Sequence, residues 1–358
     1  MTHFRIFHLA SAADVNDWLQ MWNEWPQREV FGHPEYIRLY TGEQARGLCA
    51  AWLSDTVRVL HPFILRDLAA EPFWDGPEGA LYDAASAYGY AGPFAWGAGD
   101  RENVSKAFWA EFRAWAQDHQ VVSEFVRFSL FSGAILRYFG ETWRAATQII
   151  RSLDVEEPNL WMDLDYKIRK NISTAIRRGV QVEVDEQGTR FSDFLRVYYR
   201  TIDWRRALES QHFPRAYFEL IQARLRGQFA YFHALVDGAP VSTELVLISE
   251  RSVYSFLDGT VEEAFDYRPN DLLKFEIMRW AKRRGKSHFV LGGGNQGEDR
   301  LYKHKRAFAP NGQTRYLLGG QVFSGELYAA LVGARQRYGL ERGEEWRPRQ
   351  GIFPAYRS

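Results

Sequence analysis

The sequence contains few of the residues that build disulfide or metal-bound frameworks. Cys49 is the one cysteine among 358 residues, and the nine histidines form no HExxH motif. One cysteine excludes a disulfide framework and a cysteine-rich zinc or iron–sulfur site, and the missing motif disfavours a zinc hydrolase. We therefore expect no metal site and no permanently bound cofactor.

Long apolar stretches are also missing. The chain has no run of about 18 apolar residues, the length that a membrane-spanning helix needs, and residues 1–18 lack the basic and apolar segments of a secretory signal. We expect a cytoplasmic protein without an integral membrane segment. Apolar residues make up 46% of the chain and aromatic residues 16%, which favours folded cores over disorder. The length favours two domains.

The formal net charge of zero is the sum of two opposite halves. Residues 1–160 carry 13 basic and 21 acidic side chains, and residues 161–358 carry 32 and 24. Within the second half, residues 274–306 hold ten basic and three acidic side chains. This asymmetry predicts that a polyanionic ligand binds to the C-terminal half. The alternative is a basic helix face that is simply solvated.

Hydrophobic periodicity predicts two similar α/β lobes, each with antiparallel hairpins followed by a helix and a strand. In the first lobe we expect strands over 48–53, 57–65 and 121–131, a helix over 101–118, and an ordered loop region over 69–100. In the second lobe we expect helices over 164–179, 191–204, 214–226 and 272–284, and a hairpin that turns at Asp237-Gly238. A further helix is predicted over 326–338. The predicted domains are residues 1–150, residues 151–318, and a tail over 319–358 that packs back on the N-terminal lobe.

One glycine-rich segment matches a nucleotide-binding pattern. Residues 292–297 read GGGNQG after a predicted strand, which satisfies GxGxxG. A dinucleotide site also needs a βαβ unit with an acidic residue about 20 positions further on, and the following residues do not supply it. Two interpretations stay open: a glycine-rich strand exit, or a loop whose backbone approaches a ligand closely.

Several segments together resemble a known family. They are YGYAGP at 88–93, KIRKNISTAIRRGVQV at 167–182, YYRTIDW at 198–204, YSFLDGTVEEAFDYRPNDLLKFEIMRWAKRRGKSHFVLGGG at 254–294 and LYKHKRAFAP at 301–310. In this order and spacing they resemble the FemA/FemB/FemX aminoacyltransferases, relatives of the GNAT acyltransferases. The resemblance implies an α/β (mixed α+β) fold with two tandem GNAT-like lobes, each a mixed, largely antiparallel sheet flanked by helices.

The resemblance also implies an activity. Members that act in peptidoglycan biosynthesis, the methicillin-resistance-protein-like enzymes, move an amino acid from aminoacyl-tRNA to the amine of a cell-wall precursor peptide. Aminoacyl-tRNA and such a precursor are therefore the expected partners. Two alternatives stay open: an N-acyltransferase that uses acyl-CoA or another thioester, and a GNAT-fold binding protein without catalysis.

The resemblance suggests site residues in three groups. The expected catalytic residues are Lys305, at the family's Lys-x-x-Phe position, and Asp258; His304 is a possible base. The expected donor-binding residues are Arg268, Asn270, Lys303, Lys170 and Arg177. The expected acceptor-binding residues are Tyr88, Tyr90 and Tyr254. The alternatives are a basic strand-to-loop stretch at 303–306, a plain Asp-Gly turn at 258–259, aromatic packing of the tyrosines and a solvated basic helix.

The choice between tRNA and coenzyme A rests on one missing turn. Coenzyme A-binding GNAT lobes usually carry Arg/Gln-x-x-Gly-x-Gly/Ala before a helix whose N-terminus holds the pyrophosphate, and the chain has no such pattern. Arg268-Pro269-Asn270-Asp271 stands at the equivalent place. Proline has no N–H group, and the aspartate puts a negative charge where a phosphate would bind. These residues disfavour coenzyme A as the donor.

Overall fold

The structure is a computed structural model, and it describes residues 3–76, 79–205, 212–294, 297–349 and 351–358. The chain divides into two compact units. Unit 1 consists of Met1–Pro26, Phe31–Ala145 and Tyr316–Ser358, and unit 2 consists of Gln27–Val30 and Ala146–Arg315. Residues 319–358, predicted as a tail that packs back on the N-terminal lobe, thus lie within unit 1.

The described residues form fifteen strands: β1 His3–His8, β2 Ala45–Leu53, β3 Val57–Asp67, β4 Tyr82–Ala85, β5 Phe94–Gly97, β6 Val121–Arg127, β7 Glu141–Arg144, β8 Gln148–Ser152, β9 Gln181–Asp185, β10 Phe229–Val236, β11 Ala239–Ile248, β12 Ser252–Thr260, β13 His288–Gly292, β14 Gln313–Thr314 and β15 Leu317–Val322.

The same residues form ten α-helices: α1 Ala12–Glu24, α2 Pro34–Arg38, α3 Arg101–Asp118, α4 Glu157–Met162, α5 Tyr166–Arg177, α6 Phe191–Arg205, α7 Arg215–Arg224, α8 Pro269–Arg283, α9 Arg300–Arg306 and α10 Gly325–Glu341. No described helix is long and apolar enough to cross a membrane.

Unit 1 is built on an eight-stranded sheet. Its strands lie in the order β1-β2-β3-β4-β6-β15-β7, and β5 pairs with β3. The pair β4–β6 is parallel, and the other pairs are antiparallel. Phe108 and Phe112, four residues apart on α3, are fully buried in the core cluster that this helix forms with the sheet, as their helical spacing predicts.

Unit 2 is built on a seven-stranded sheet in the order β14-β8-β13-β12-β11-β10-β9. Here the parallel pair is β12–β13, and the other pairs are antiparallel. Helix α8 packs Leu273, Ile277 and Ala281 into the core of this unit. The predicted fold class, two lobes with mixed and largely antiparallel sheets flanked by helices, is confirmed.

The turn chemistry in the sequence predicted one hairpin well. Asp237 and Gly238 join β10 to β11 with φ values of +50° and +78°. Two consecutive positive φ values match the right-handed twist of paired strands, and Asp-Gly is a preferred pair for such a turn.

One sequence-based assignment is wrong, and so is one of the alternatives that stayed open. The region 69–100, predicted as an ordered loop, contains β4 and β5, which are short and were hidden among glycine, proline and aromatic residues. The stretch 303–306 lies in helix α9 and not in a strand-to-loop segment. Asp299 caps this helix by accepting a hydrogen bond from the Tyr302 amide at 2.8 Å, a start signal that the sequence analysis did not use.

Candidate functional site

Two adjacent parallel strands of unit 2 are paired along only part of their length. In the described residues, β12 pairs with β13 only where Ser252, Val253 and Tyr254 face 288–290, although β12 continues to Thr260. A register shift against β11 at this point places Phe256 as an extra residue, a β-bulge. The second half of β12 therefore carries its side chains beside the end of β13, where ligands bind in open α/β sheets.

Lys305 extends from α9 to this strand end. Its Nζ donates a hydrogen bond to the Gly293 carbonyl oxygen at 2.8 Å. Burial, together with the charge of Lys274, lowers the pKa of Lys305 to about 8. A Cβ atom on Gly292 would lie 3.2 Å from the Lys305 Nζ, and Gly292 has a φ of +83°. Glycine at position 292 thus fits both the backbone turn and the lysine beside it.

Lys305 belongs to a cluster of four ionisable side chains. Lys274 of α8 and Glu244 of β11 are buried and form an ion pair with an N–O distance of 2.8 Å. Burial opposes the charge of Lys274, but the charges of Glu244 and Asp258 outweigh burial and raise its pKa. The charge of Asp258 also acts on Lys305, whose pKa it tends to raise. The structure thus brings the two expected catalytic residues, Lys305 and Asp258, into one cluster.

A basic pocket of about 440 Å³ lies at the N-terminus of α8 and is lined in part by α5 and α9. Its lining includes the cationic side chains Lys167, Arg268, Arg300 and Lys303, and Asp271 is the acidic one. Three expected donor-binding residues, Arg268, Asn270 and Lys303, come together here. Thr260 at the end of β12 also lines the pocket, so the pocket and the ionisable cluster share the same strand and helices.

The entrance to α8 has an unusual backbone. Arg268 has a φ of +55° and a ψ of 38°, the left-handed region, and Pro269 follows as the first helical residue. A residue with a Cβ atom pays for this conformation with strain. The Oδ1 atom of Asn270 is buried and has no hydrogen-bond partner among the described residues. Strain and an unpartnered acceptor at one place are typical of a ligand-binding site.

Asp271 occupies the first turn of α8. Its carboxylate accepts a hydrogen bond from the Asn171 side chain at 2.8 Å and lies 2.8 Å from the His304 Nε2. A carboxylate in a first helical turn satisfies the positive end of the helix dipole. The N-terminus of α8 therefore already carries a negative group, and His304, the possible base, is engaged with it.

Two expected donor-binding residues lie elsewhere. Lys170 and Arg177 are exposed on α5 and do not line the basic pocket. Lys167, on the same helix, does line it. The basic run identified the right helix, but a run of charge does not say which side chains face the pocket, because that depends on the rotation of the packed helix.

Tyr254 does not fit the expected acceptor-binding role. It is 3% exposed, and its hydroxyl donates a hydrogen bond to the Glu29 carboxylate at 2.7 Å. Burial raises the pKa of Glu29 to about 7, although its hydrogen bonds to Ser249 and Tyr254 oppose this rise. Tyr254 therefore holds the segment 27–30 on the sheet of unit 2.

The other two expected acceptor-binding residues lie on a loop of unit 1. Tyr88 is 58% exposed, and its carbonyl oxygen accepts a hydrogen bond from the Tyr36 hydroxyl at 2.7 Å. The next carbonyl oxygen, that of Gly89, accepts one from Tyr316 at 2.8 Å. The ring of Tyr90 packs edge-on against Tyr316 with a centroid distance of 5.5 Å. The loop 86–93 is thus held in place by tyrosine hydroxyls.

In the described part of the segment 292–297, close packing explains why the residues are glycines. A Cβ atom on Gly293 would lie 2.6 Å from the Gln148 Nε2, and one on Gly294 would lie 2.4 Å from the Asp299 Oδ1. Asn295 and Gln296 lie outside the described residues. Among the described residues, no group of three or more histidine, cysteine, aspartate or glutamate side chains is placed to hold a metal ion.

The comparisons with known proteins agree with this description of unit 2. A family model described as an acetyltransferase (GNAT) domain matches residues 164–306, the range that holds α5, α8, α9 and the ionisable cluster. No curated protein sequence matches the chain.

Solved structures share the fold of the whole chain at low sequence identity. FemX has a TM-score of 0.66 and 12% identity, and the match covers 88% of this chain and 97% of that one. L-PGS from Bacillus licheniformis has a TM-score of 0.52, with 13% identity over 91% of this chain and 96% of that one. A conserved protein of unknown function from Bacteroides thetaiotaomicron has a TM-score of 0.53, with 13% identity over 90% of this chain and its full length. Residues 164–306 are thus similar to an acetyltransferase (GNAT) domain, and the chain has a FemX-like fold of two tandem GNAT-like lobes.

Proposed function

We propose that this protein transfers an aminoacyl group from tRNA to an amine, with unit 2 as the catalytic unit. The observation that carries the proposal is Lys305, a half-buried lysine with a lowered pKa on which the charge of Asp258 acts, on a helix that also lines the basic pocket. The resemblance to the FemA/FemB/FemX family supports the amine of a peptidoglycan-precursor peptide as the acceptor.

The proposed chemistry divides the work between the two side chains. The acceptor nitrogen attacks the ester carbonyl carbon, and the carbonyl oxygen becomes an oxyanion that the Lys305 ammonium stabilises. Asp258, as the general base, takes the proton that the attacking nitrogen loses and returns it to the ester oxygen, which leaves as a hydroxyl group at the 3′ end of the tRNA. The gain from one such oxyanion contact is about 3 kcal/mol of barrier, a factor of about 10² in rate.

The first turn of α8 favours tRNA over coenzyme A as the donor. Coenzyme A needs backbone N–H groups and a free helix N-terminus for its pyrophosphate, whereas this terminus carries Pro269 and the Asp271 carboxylate. The cationic side chains of Lys167, Arg268, Arg300 and Lys303 lie beside it. These four cations line the pocket beside the helix N-terminus, an arrangement that suits the phosphates along a nucleic-acid strand.

The experiment is transfer of radiolabelled amino acids from a charged tRNA pool to a peptidoglycan-precursor peptide, with wild type and Lys305→Ala compared. We expect transfer by the wild type and a loss of about 10²-fold in the variant. Lys170→Ala is the matched control, because Lys170 is exposed and does not line the pocket. Absence of transfer with every charged tRNA would count against the proposal.

The second candidate is an N-acyltransferase that uses acyl-CoA. The match of residues 164–306 to an acetyltransferase (GNAT) domain favours it. The same purified protein distinguishes the two donors. Saturable coenzyme A binding that Arg268→Ala weakens, together with transfer from acyl-CoA but not from charged tRNA, would replace the first candidate by the second.

A further inference from the structure

Unit 1 contains a half-buried arginine, Arg127, to which the described residues offer no carboxylate partner. Arg127 stands at the end of β6, and among the described residues no carboxylate oxygen lies within 4.0 Å of its guanidinium. Of the five N–H donors of the guanidinium, one makes a hydrogen bond within the described residues, from Nη1 to the Ser86 carbonyl oxygen at 3.2 Å. The guanidinium also lies 4.7 Å from the ring centroid of Phe125.

Two other arginines of the same unit, in contrast, form ion pairs with carboxylates. Arg66 makes two hydrogen bonds to Asp83, of 2.8 and 2.9 Å. Arg357 pairs with both Asp83 and Glu71, at 2.6 and 2.5 Å. Burying a charge is costly unless the charge is paired. Burial therefore lowers the pKa of Arg127, and the charge of nearby Arg66 lowers it further.

The surroundings of Arg127 form a fixed frame. The Ala91 amide donates to the Arg127 carbonyl oxygen at 2.6 Å, so the loop 86–93 lies against the end of β6. Tyr36, Tyr88 and Tyr316 are close enough to act on the charge of Arg127. Such an arginine, beside aromatic rings and without a carboxylate, is suited to bidentate recognition of an oxyanion.

We propose that Arg127 and the loop 86–93 form a binding site for an oxyanion, a carboxylate or phosphate group, on a molecule that unit 1 holds. If that molecule is the amine acceptor, this assignment rests on the proposed function. The binding of the oxyanion itself does not, because it needs no acyl donor and concerns unit 1 alone.

The direct test follows the guanidinium of Arg127 by NMR in the full-length protein. The side-chain Nε–Hε resonance that disappears in Arg127→Lys identifies the group. Inorganic phosphate and acetate are titrated separately at constant ionic strength, with chloride as the control. We expect a saturable shift of this resonance with phosphate, with acetate or with both, which also distinguishes the two chemistries. A resonance that responds to neither ion overturns the inference.

A stability measurement gives a second, independent result. None of these substitutions alters a residue that lines the basic pocket of unit 2, so the quantity that matters is a difference between variants. Phosphate or acetate should raise the thermal midpoint of the wild type more than that of Arg127→Met. Arg357→Met, the matched control, should be destabilised and should keep the anion-dependent rise of the wild type. Equal rises in the wild type and in Arg127→Met would overturn the inference, while failure of transfer activity would leave it intact.

Discussion

The pH dependence of the transfer reaction should report the charge of Lys305. Burial and the charge of Lys274 lower the pKa of Lys305 to about 8, so this side chain titrates within the range of an enzyme assay. An oxyanion needs the protonated form. The rate should therefore fall as the pH rises through about 8. At one pH unit above the pKa, about a tenth of the molecules keep the charge, which sets an expected loss of about tenfold.

Lys305→Arg supplies the reference for this measurement, because a guanidinium stays charged throughout the range. The ratio of the wild-type rate to the Lys305→Arg rate cancels the titration of the acceptor amine and the alkaline loss of the donor ester. We expect the ratio to be level below about pH 7 and about tenfold lower at pH 9. Lys303→Arg, on the same helix, is the control and should follow the wild type. A level ratio up to pH 9 would refute an ammonium role for Lys305, and a rising ratio would assign it the role of a base.

The same pKa predicts the effect of Lys305 on stability. Lys305 loses its proton at about pH 8 in the folded protein, against the ordinary value of 10.5. Between these values the unfolded chain binds more protons, so stability rises with pH in this window. After allowance for partial exposure and for the lost bond to Gly293, Lys305→Met should be about 1–2 kcal/mol more stable than the wild type below pH 8. Urea unfolding should show this difference narrowing as the pH approaches 10.5.

Three further substitutions follow from the same site. Lys274→Met leaves the Glu244 carboxylate buried without its cation and should lower the free energy of unfolding by about 3–5 kcal/mol in urea titrations. The double variant that carries both Lys274→Met and Glu244→Met should recover most of this lost stability. Arg268→Gly relieves the left-handed backbone and should stabilise the protein by about 1 kcal/mol, while the affinity for tRNA falls in a filter-binding assay. Gly292→Ala should lower the free energy of unfolding, because position 292 has a φ of +83°, and should also lower the transfer rate, because the new Cβ atom would lie 3.2 Å from the Lys305 Nζ; a rate equal to the wild type would contradict this.

The sequence predicted the lobes and their longer elements because their signals are local. Helix α3 has apolar residues at helical spacing, and the hairpin at Asp237 has the turn pair that its strands require. Strands β4 and β5 were missed because each is four residues long. Short strands are specified by their partners and not by their own pattern. Helix α9 was missed for a different reason, since its N-cap, Asp299, is a local signal that went unused.

The buried ion pair is the part of the site that sequence reasoning overlooked, although the sequence contained a signal. Lys274 shares one helical face with Ile277 and Ala281, three and seven residues further on, and this face is apolar. Glu244 likewise interrupts an apolar strand. A lone charge on a buried face predicts a buried partner. Because the two residues are 30 positions apart, the identity of that partner depended on the fold.

The energetically unfavourable features of each unit, such as buried charges and strained backbone, suggest where that unit binds its ligand. Folded proteins keep an unfavourable feature where function requires it and satisfy their polar groups elsewhere. In unit 2 three such features lie on α9 or at the entrance to α8: the charge of Lys305 is disfavoured by burial, Arg268 has a strained backbone, and Asn270 has a buried acceptor without a described partner. In unit 1 a comparable feature is the guanidinium of Arg127, whose charge is disfavoured by burial. The acidic excess of residues 1–160 therefore does not argue against an anionic ligand there, because one desolvated cation in a fixed frame binds an oxyanion more strongly than distant surface charges repel it.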